Sequence, residues 1–119
     1  MAPVTGIYTR IVTHGDRGHV IQWTPMTNSG SDVGTPVEMP GSADRSVQVT
    51  GTFGTGGSVR IEGSNDGTNY AVLTDPQGNA LDITTAKIET IMELTRYIRP
   101  RVTAGDGTTS LTVTMLVKK

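Results

Sequence analysis

The chain has 119 residues, 34% of them hydrophobic and only 4% aromatic, and ten Lys plus Arg against eleven Asp plus Glu give a formal charge of −1. One modest core is within reach at this length and a second domain is not; the near-neutral balance excludes nucleic acid as a main partner. No cysteine is present, which removes a disulfide framework and any thiolate metal site, and no apolar stretch approaches the ~18 residues of a membrane span.

Fifteen glycines, six prolines and abundant threonine suit many short strands joined by tight turns. The N-terminus lacks a basic segment followed by an apolar run, so the chain is expected to fold in a cytosol. Residues 1–10 read as an extended N-terminal segment that runs into a weak strand, Ile7 to Thr13. A second weak strand covers His19 to Thr24. Between them, His14-Gly15-Asp16-Arg17-Gly18-His19 offers two imidazoles and a carboxylate, all competent zinc ligands. Glycines surround the acid and the segment joins two strand patterns, so a solvated turn is favoured over a metal site.

Pro25 to Arg45 holds three of the six prolines and little periodicity. Structureless stretches of that length are uncommon in compact domains and are often functional. It reads as a contact loop over residues 25–45, and removal of Met26 to Pro40 is expected to leave a folded domain.

The clearest strand is Ser46 to Phe53, where Val47, Val49, Gly51 and Phe53 alternate with Ser46, Gln48, Thr50 and Thr52. Such a strand sets one face on the core and the other in water or against a partner. Ser58 to Glu62 repeats the pattern, with Val59 and Ile61 inward and Arg60 and Glu62 outward. The stretch that follows, RIEGSNDGTNYAVL from Arg60 to Leu73, has the look of a ligand loop. A calcium site would draw on Asp66, Asn65, Asn69 and Asp75, but one carboxylate in the run and no EF-hand spacing leave a hairpin bend as the economical reading.

Asn69 to Thr74 and Ala80 to Thr84 are further weak strands. From Thr85 to Glu93 the two-residue period breaks, and Ile88, Ile91 and Met92 stand at helical spacing, which predicts a short helix or helical turn near residues 86–93. Pro100 places the strand Arg96 to Thr103 at an edge, or with its proline on the unpaired side. Ala104 to Thr108 is a second Asp-Gly bend. The last strand, Thr109 to Val117, lines up Leu111, Val113, Met115 and Val117 and should be central to the core.

Seven or eight such strands define an all-β chain, an antiparallel β-sandwich of the jelly-roll or immunoglobulin-like kind, forming a single domain over residues 1–119. Trp23, Phe53, Tyr70 and Tyr97 are its natural anchors. Nucleophile-elbow, phosphate-loop and HExxH patterns are missing, and Glu89 with Glu93 reads as an exposed helical face, so no enzyme, catalytic group, metal or cofactor is expected. Trp23, Tyr70 and Tyr97 would serve as stacking platforms for sugars only if exposed; core or interface positions are the ordinary alternative.

Gly57 to Tyr70, then Leu73 to Leu81, then Arg96 to Thr103 with Gly105-Asp106-Gly107-Thr108, form an order that resembles small β-sandwich structural proteins of tailed bacteriophages, most of all head decoration (cement) proteins. The likeness covers Gly57 to Val117, and Tyr70 stands where a Trp often follows the DGTN turn. It implies a virion structural protein, made in the host cytoplasm and placed on the capsid exterior. It would bind the major capsid protein, bridge neighbouring subunits and act as a homo-oligomer, dimer or trimer, without membrane or nucleic acid. A tail or baseplate subunit and a virion carbohydrate-binding module are the alternatives. The candidate capsid or subunit contacts are Pro3, Ile7, Tyr8, Trp23, Met26, Val33, Val37 and Met39, drawn from the N-terminal segment, the loop and the strand before it.

Overall fold

Alternation of side chains, rather than helical spacing, governs the chain from end to end. The computed structural model describes residues 3–11, 18–30 and 32–119, and among them every regular element is a β-strand. One sheet is built from β1 (Pro3–Val4), β4 (Val33–Gly34), β5 (Val37–Glu38), β7 (Ser58–Ser64), β8 (Ala71–Val72), β9 (Asp82–Ile83) and β11 (Tyr97–Ala104). Its order is β1-β4-β11-β7-β8, with β5 also on β11 and β9 also on β7. The other sheet contains β2 (Ile7–Ile11), β3 (Gly18–Thr27), β6 (Asp44–Thr52), β10 (Lys87–Thr90) and β12 (Ser110–Lys118), in the order β10-β6-β12-β3-β2. All pairings are antiparallel except β1 with β4.

The two sheets form an antiparallel β-sandwich, and the residues their strands turn inward make one cluster. Ile21, Trp23, Val47, Val49, Val113 and Met115 meet Val59, Ile61, Ile83, Ile98 and Val102, all of them at most 1% exposed. β12 is central, as its alternation requires, with β6 on one side and β3 on the other.

Two expectations are corrected. The first is the helical turn at residues 86–93. Lys87–Thr90 is strand β10, paired with β6, and Ile91 N–H continues the ladder to Arg45 O (3.0 Å). Ile91 is buried, whereas Ile88 and Met92 are each 62% exposed, so the three apolar residues do not share a face. The physical reason is the open edge of β6, whose backbone groups need partners; β-branched Ile88, Thr90 and Ile91 accept an extended backbone readily.

The second correction concerns the stretch 25–45. It is no free loop: β4 and β5 pair with β11, and Met26, Val33 and Val37 enter the core. Arg45 ties its end down. This side chain is 4% exposed and donates to three carbonyl oxygens, Ser42 (2.8 Å), Met39 (2.9 Å) and Thr95 (3.1 Å). Excising Met26 to Pro40 therefore removes core and ladder together and is expected to unfold the protein.

For β11 the second of the two expected placements holds: the strand is interior, and its proline lies where no backbone donor is needed. Opposite Pro100 stands Ile61, whose N–H donates to Leu81 O (3.0 Å) and whose O accepts from Leu73 N–H (2.9 Å), both away from β11. In such a non-bonded antiparallel pair Pro100 also turns its nitrogen outward. It faces the break between β4 and β5, where no donor is missed. Val12 and Thr13, at the end of the predicted strand Ile7 to Thr13, and the His14–Arg17 turn lie outside the described residues.

Trp23 fastens the two sheets. Its Nε1–H donates to Thr35 O (3.1 Å), Gly6 N–H donates to Thr35 Oγ1 (3.0 Å), and Thr35 N–H donates to Val4 O (2.8 Å). Glycines permit this approach: a Cβ at Gly34 would lie 2.6 Å from Pro100 Cδ and 2.8 Å from Trp23 Cδ1, and one at Gly6 would lie 2.8 Å from Trp23 Nε1. Gly34→Ala is expected to cost about 2 kcal/mol by overpacking. Urea unfolding should show a lower midpoint at an unchanged slope.

Candidate docking face

The outer faces of the two sheets differ in chemistry. On the sheet containing β7 and β11, charges are matched within the chain. Glu62, with 5% of its side chain accessible, takes Arg99 on Oε1 (3.1 Å) and Arg101 on Oε2 (3.0 Å). Arg60 pairs with Asp82 (2.8 Å) and Arg96 with Glu38 (2.6 Å). The Arg99 guanidinium lies 3.6 Å from the centroid of the Tyr70 ring and that of Arg96 5.1 Å from the Tyr97 ring. Both rings thus already carry a cation on one face.

The five-stranded sheet presents the reverse. Directly opposed residues on neighbouring strands share a face, and the register gives one row across all five strands: Ile88, Gln48, Thr114, Gln22, Ile7. The row beside it is Thr90, Ser46, Leu116, Val20, Thr9. Neither row contains a charged side chain. Hydroxyls and amides knit the face, with Gln22 Nε2–H donating to Thr114 Oγ1 (3.2 Å) and Thr24 Oγ1 lying 2.8 Å from Thr112 Oγ1. Among the described residues, charge appears on this face at its end, where Lys118 stands opposite Asp44.

The large apolar side chains left exposed gather on this sheet and at its edges. Ile7 (61%) and Tyr8 (50%) lie on edge strand β2, Ile88 (62%) on edge strand β10, Leu116 (42%) on central β12, and Met92 and Leu94 just beyond β10. Ile7 and Ile88 thus stand at opposite borders of the sheet, with Leu116 between them in the neighbouring row.

The predicted contacts divide. Pro3, Ile7 and Tyr8 are exposed, and Met39 is half-buried against the core. Trp23, Met26, Val33 and Val37 are buried and offer no surface, because β3, β4 and β5 turn them inward. Buried Trp23 is likewise no sugar platform. Ile88 and Leu116 were missed, although Leu116 stands on the hydroxyl side of the alternation in β12 and was readable there; Ile88 was hidden by the helical reading.

The glycine-rich bends are closed by their own side chains. Asp66 Oδ1 accepts from Asn69 N–H (2.8 Å), Thr68 N–H (2.8 Å) and Ser64 Oγ–H (2.9 Å), and Oδ2 accepts from Asn69 Nδ2–H (2.8 Å). Gly67, at φ 78°, supplies the left-handed residue of the bend. Asp106 likewise takes Thr108 and Thr55, and Asp75 takes Asn79 and Gln77. His19 borders an open cavity of about 500 Å³ together with Arg10, Met39, Ser42 and Lys119. The charged lining side chains there, Arg10 and Lys119, are cationic and disfavour a metal cation.

These features define an antiparallel β-sandwich with one charge-matched face and one uncharged face. Among solved structures it is similar to the crystal structure of the SPBc2 prophage-derived protein YomS, with a TM-score of 0.59 over 93% of this chain and 100% of that one, at 11% sequence identity. At that identity the likeness is one of fold. No protein-family model matches the sequence, and no curated protein matches it either.

Hydrogen bonds from Asn69, Thr68 and Ser64 hold the Asp66 carboxyl well below the usual carboxylate range, Thr108 and Thr55 do the same for Asp106, and Asn79 chiefly for Asp75. A depressed folded-state pKa gives stability that is complete above the unfolded value of about 3.9 and is lost as pH falls through the folded one. Melting temperature is therefore expected to stay level from neutral pH to about pH 5 and to drop below about pH 4. The deficit of Asp66→Ala against wild type should shrink over the same acid range, as scanning calorimetry would show.

Proposed function

We propose that this chain is a structural protein of a bacteriophage virion, a head decoration protein without enzymatic activity that binds the capsid exterior and stabilises contacts between major capsid subunits. The observation that carries the reading is the exposure of large apolar side chains along the borders of the five-stranded sheet, Tyr8 on β2 and Met92 with Leu94 beyond β10. They stand beside an outer face whose middle rows carry no charge, and exposure beyond isolated residues suits contact with another protein. Two further points support it: the resemblance of Gly57 to Val117 to such proteins, and a shared fold with a prophage-derived protein. Tyr8, exposed on the open edge β2 and set off the outer face by its place opposite Ile21, is the residue assigned to the head. A protein that binds only the assembled lattice lowers the free energy of that state and slows its rupture, so many weak contacts suffice.

Purified protein mixed with expanded and with unexpanded heads, then imaged, tests the proposal. Binding to expanded heads and a higher temperature of head rupture are expected, and Tyr8→Ala should lower occupancy about tenfold, as loss of an aromatic anchor does. Recovery of the protein on isolated tails and not on heads would make it a tail or baseplate subunit instead.

A further inference from the structure

The outer face of the five-stranded sheet has a symmetry that the fold does not require. Read across the strands, the row Ile88, Gln48, Thr114, Gln22, Ile7 is the same in both directions about Thr114, on the central strand. Consider a two-fold axis in the plane of the face passing through Thr114, either along β12 or across the strands. Either axis lays a second row on the first with isoleucine against isoleucine, glutamine against glutamine and Thr114 against its own copy. Both keep the strands of the two copies nearly aligned, as face-packed sheets prefer.

The side chains suit this pairing. A glutamine amide carries both donors and an acceptor, and Gln22 gives one amide hydrogen to Thr114, which leaves the other for a partner. Leu116, in the neighbouring row on the same central strand, adds an apolar contact beside the axis. The two middle rows carry no charge with which to repel their own copy, and the axis across the strands also keeps Lys118, at the end of β12, away from its counterpart; a strongly charged partner would shed hydration there uncompensated. Strands about 4.8 Å apart and a rise of about 3.4 Å per residue make the face about 20 Å by 20 Å. Two copies then hide about 800 Å² between them, the low end of the range, where weak and reversible contacts lie.

We propose that this face binds a second copy of the chain, giving an isologous face-to-face dimer centred on Thr114. The proposal rests on the reading of the face as a protein-docking surface. Each dimer then carries two β2 edges, so bridging of capsid subunits becomes a bivalent contact.

Sedimentation equilibrium on the full chain tests it. Wild type is expected to dimerise with a dissociation constant on the order of 10 μM. Thr114→Glu and Thr114→Lys, both on the outer side of β12, should each sediment as monomers at about 100 μM with an unchanged far-UV spectrum. An equimolar mixture of the two should recover a dimer, because an isologous contact sets residue 114 against itself. Monomeric wild type at that concentration, or a mixture that stays monomeric, overturns the dimer. Monomeric wild type that still loads onto heads sinks the dimer and leaves the decoration role standing; a wild-type dimer that loads onto neither heads nor tails does the opposite.

Discussion

The sandwich depends on one tryptophan held by Thr35, a residue itself tied to three partners. Trp23 projects from β3 into the space between the sheets, and its indole N–H is taken by a carbonyl of the other layer, at Thr35. Thr35 in turn receives Gly6 through its hydroxyl and reaches Val4 through its own N–H. A buried indole needs a partner for its single donor, and here that partner also fixes the path of β1 and β4. Without it, two strands of two residues each would have little reason to stay on the sheet edge.

The same logic accounts for Arg45. A buried guanidinium is costly unless its donors are used, and this one uses its donors on carbonyls of three separate residues. It therefore replaces a ladder that the irregular chain around Met39 to Ser42 does not form. Trp23 and Arg45 together convert a proline-rich stretch into a wall of the core. The outer face on the far side of β3, β6 and β12 belongs to strands that are themselves fixed from beneath.

Much of this was legible in the sequence where a strand is long. Val47, Val49, Val113, Met115 and Val117 show period two over enough residues to set their faces unambiguously, and the Asp-Gly bends announce themselves by residue type. The two-residue strands β4 and β5 leave no period to read, so the burial of Val33 and Val37 was invisible, and the prolines around them pointed to a loop. Ile88, Ile91 and Met92 fit a helix by spacing; what decided their conformation was the vacant side of β6, some forty residues away in the chain. For the docking face, composition told half of the story. The hydroxyl-rich side of β6 was plain, but that it joins β12, β3, β2 and β10 into rows follows from register alone, which no local pattern carries.

The edges of the five-stranded sheet are guarded as well as open. On β10 the positions that face inward are Lys87 and Glu89, opposite Val49 and Val47, and on β2 one such position is Arg10, opposite His19. A further strand added to either border would have to cover an ionised group on its inner side, a recognised defence against runaway edge-to-edge polymerisation. The molecule can thus be concentrated in solution, with apolar side chains on display, and still stop short of forming fibres.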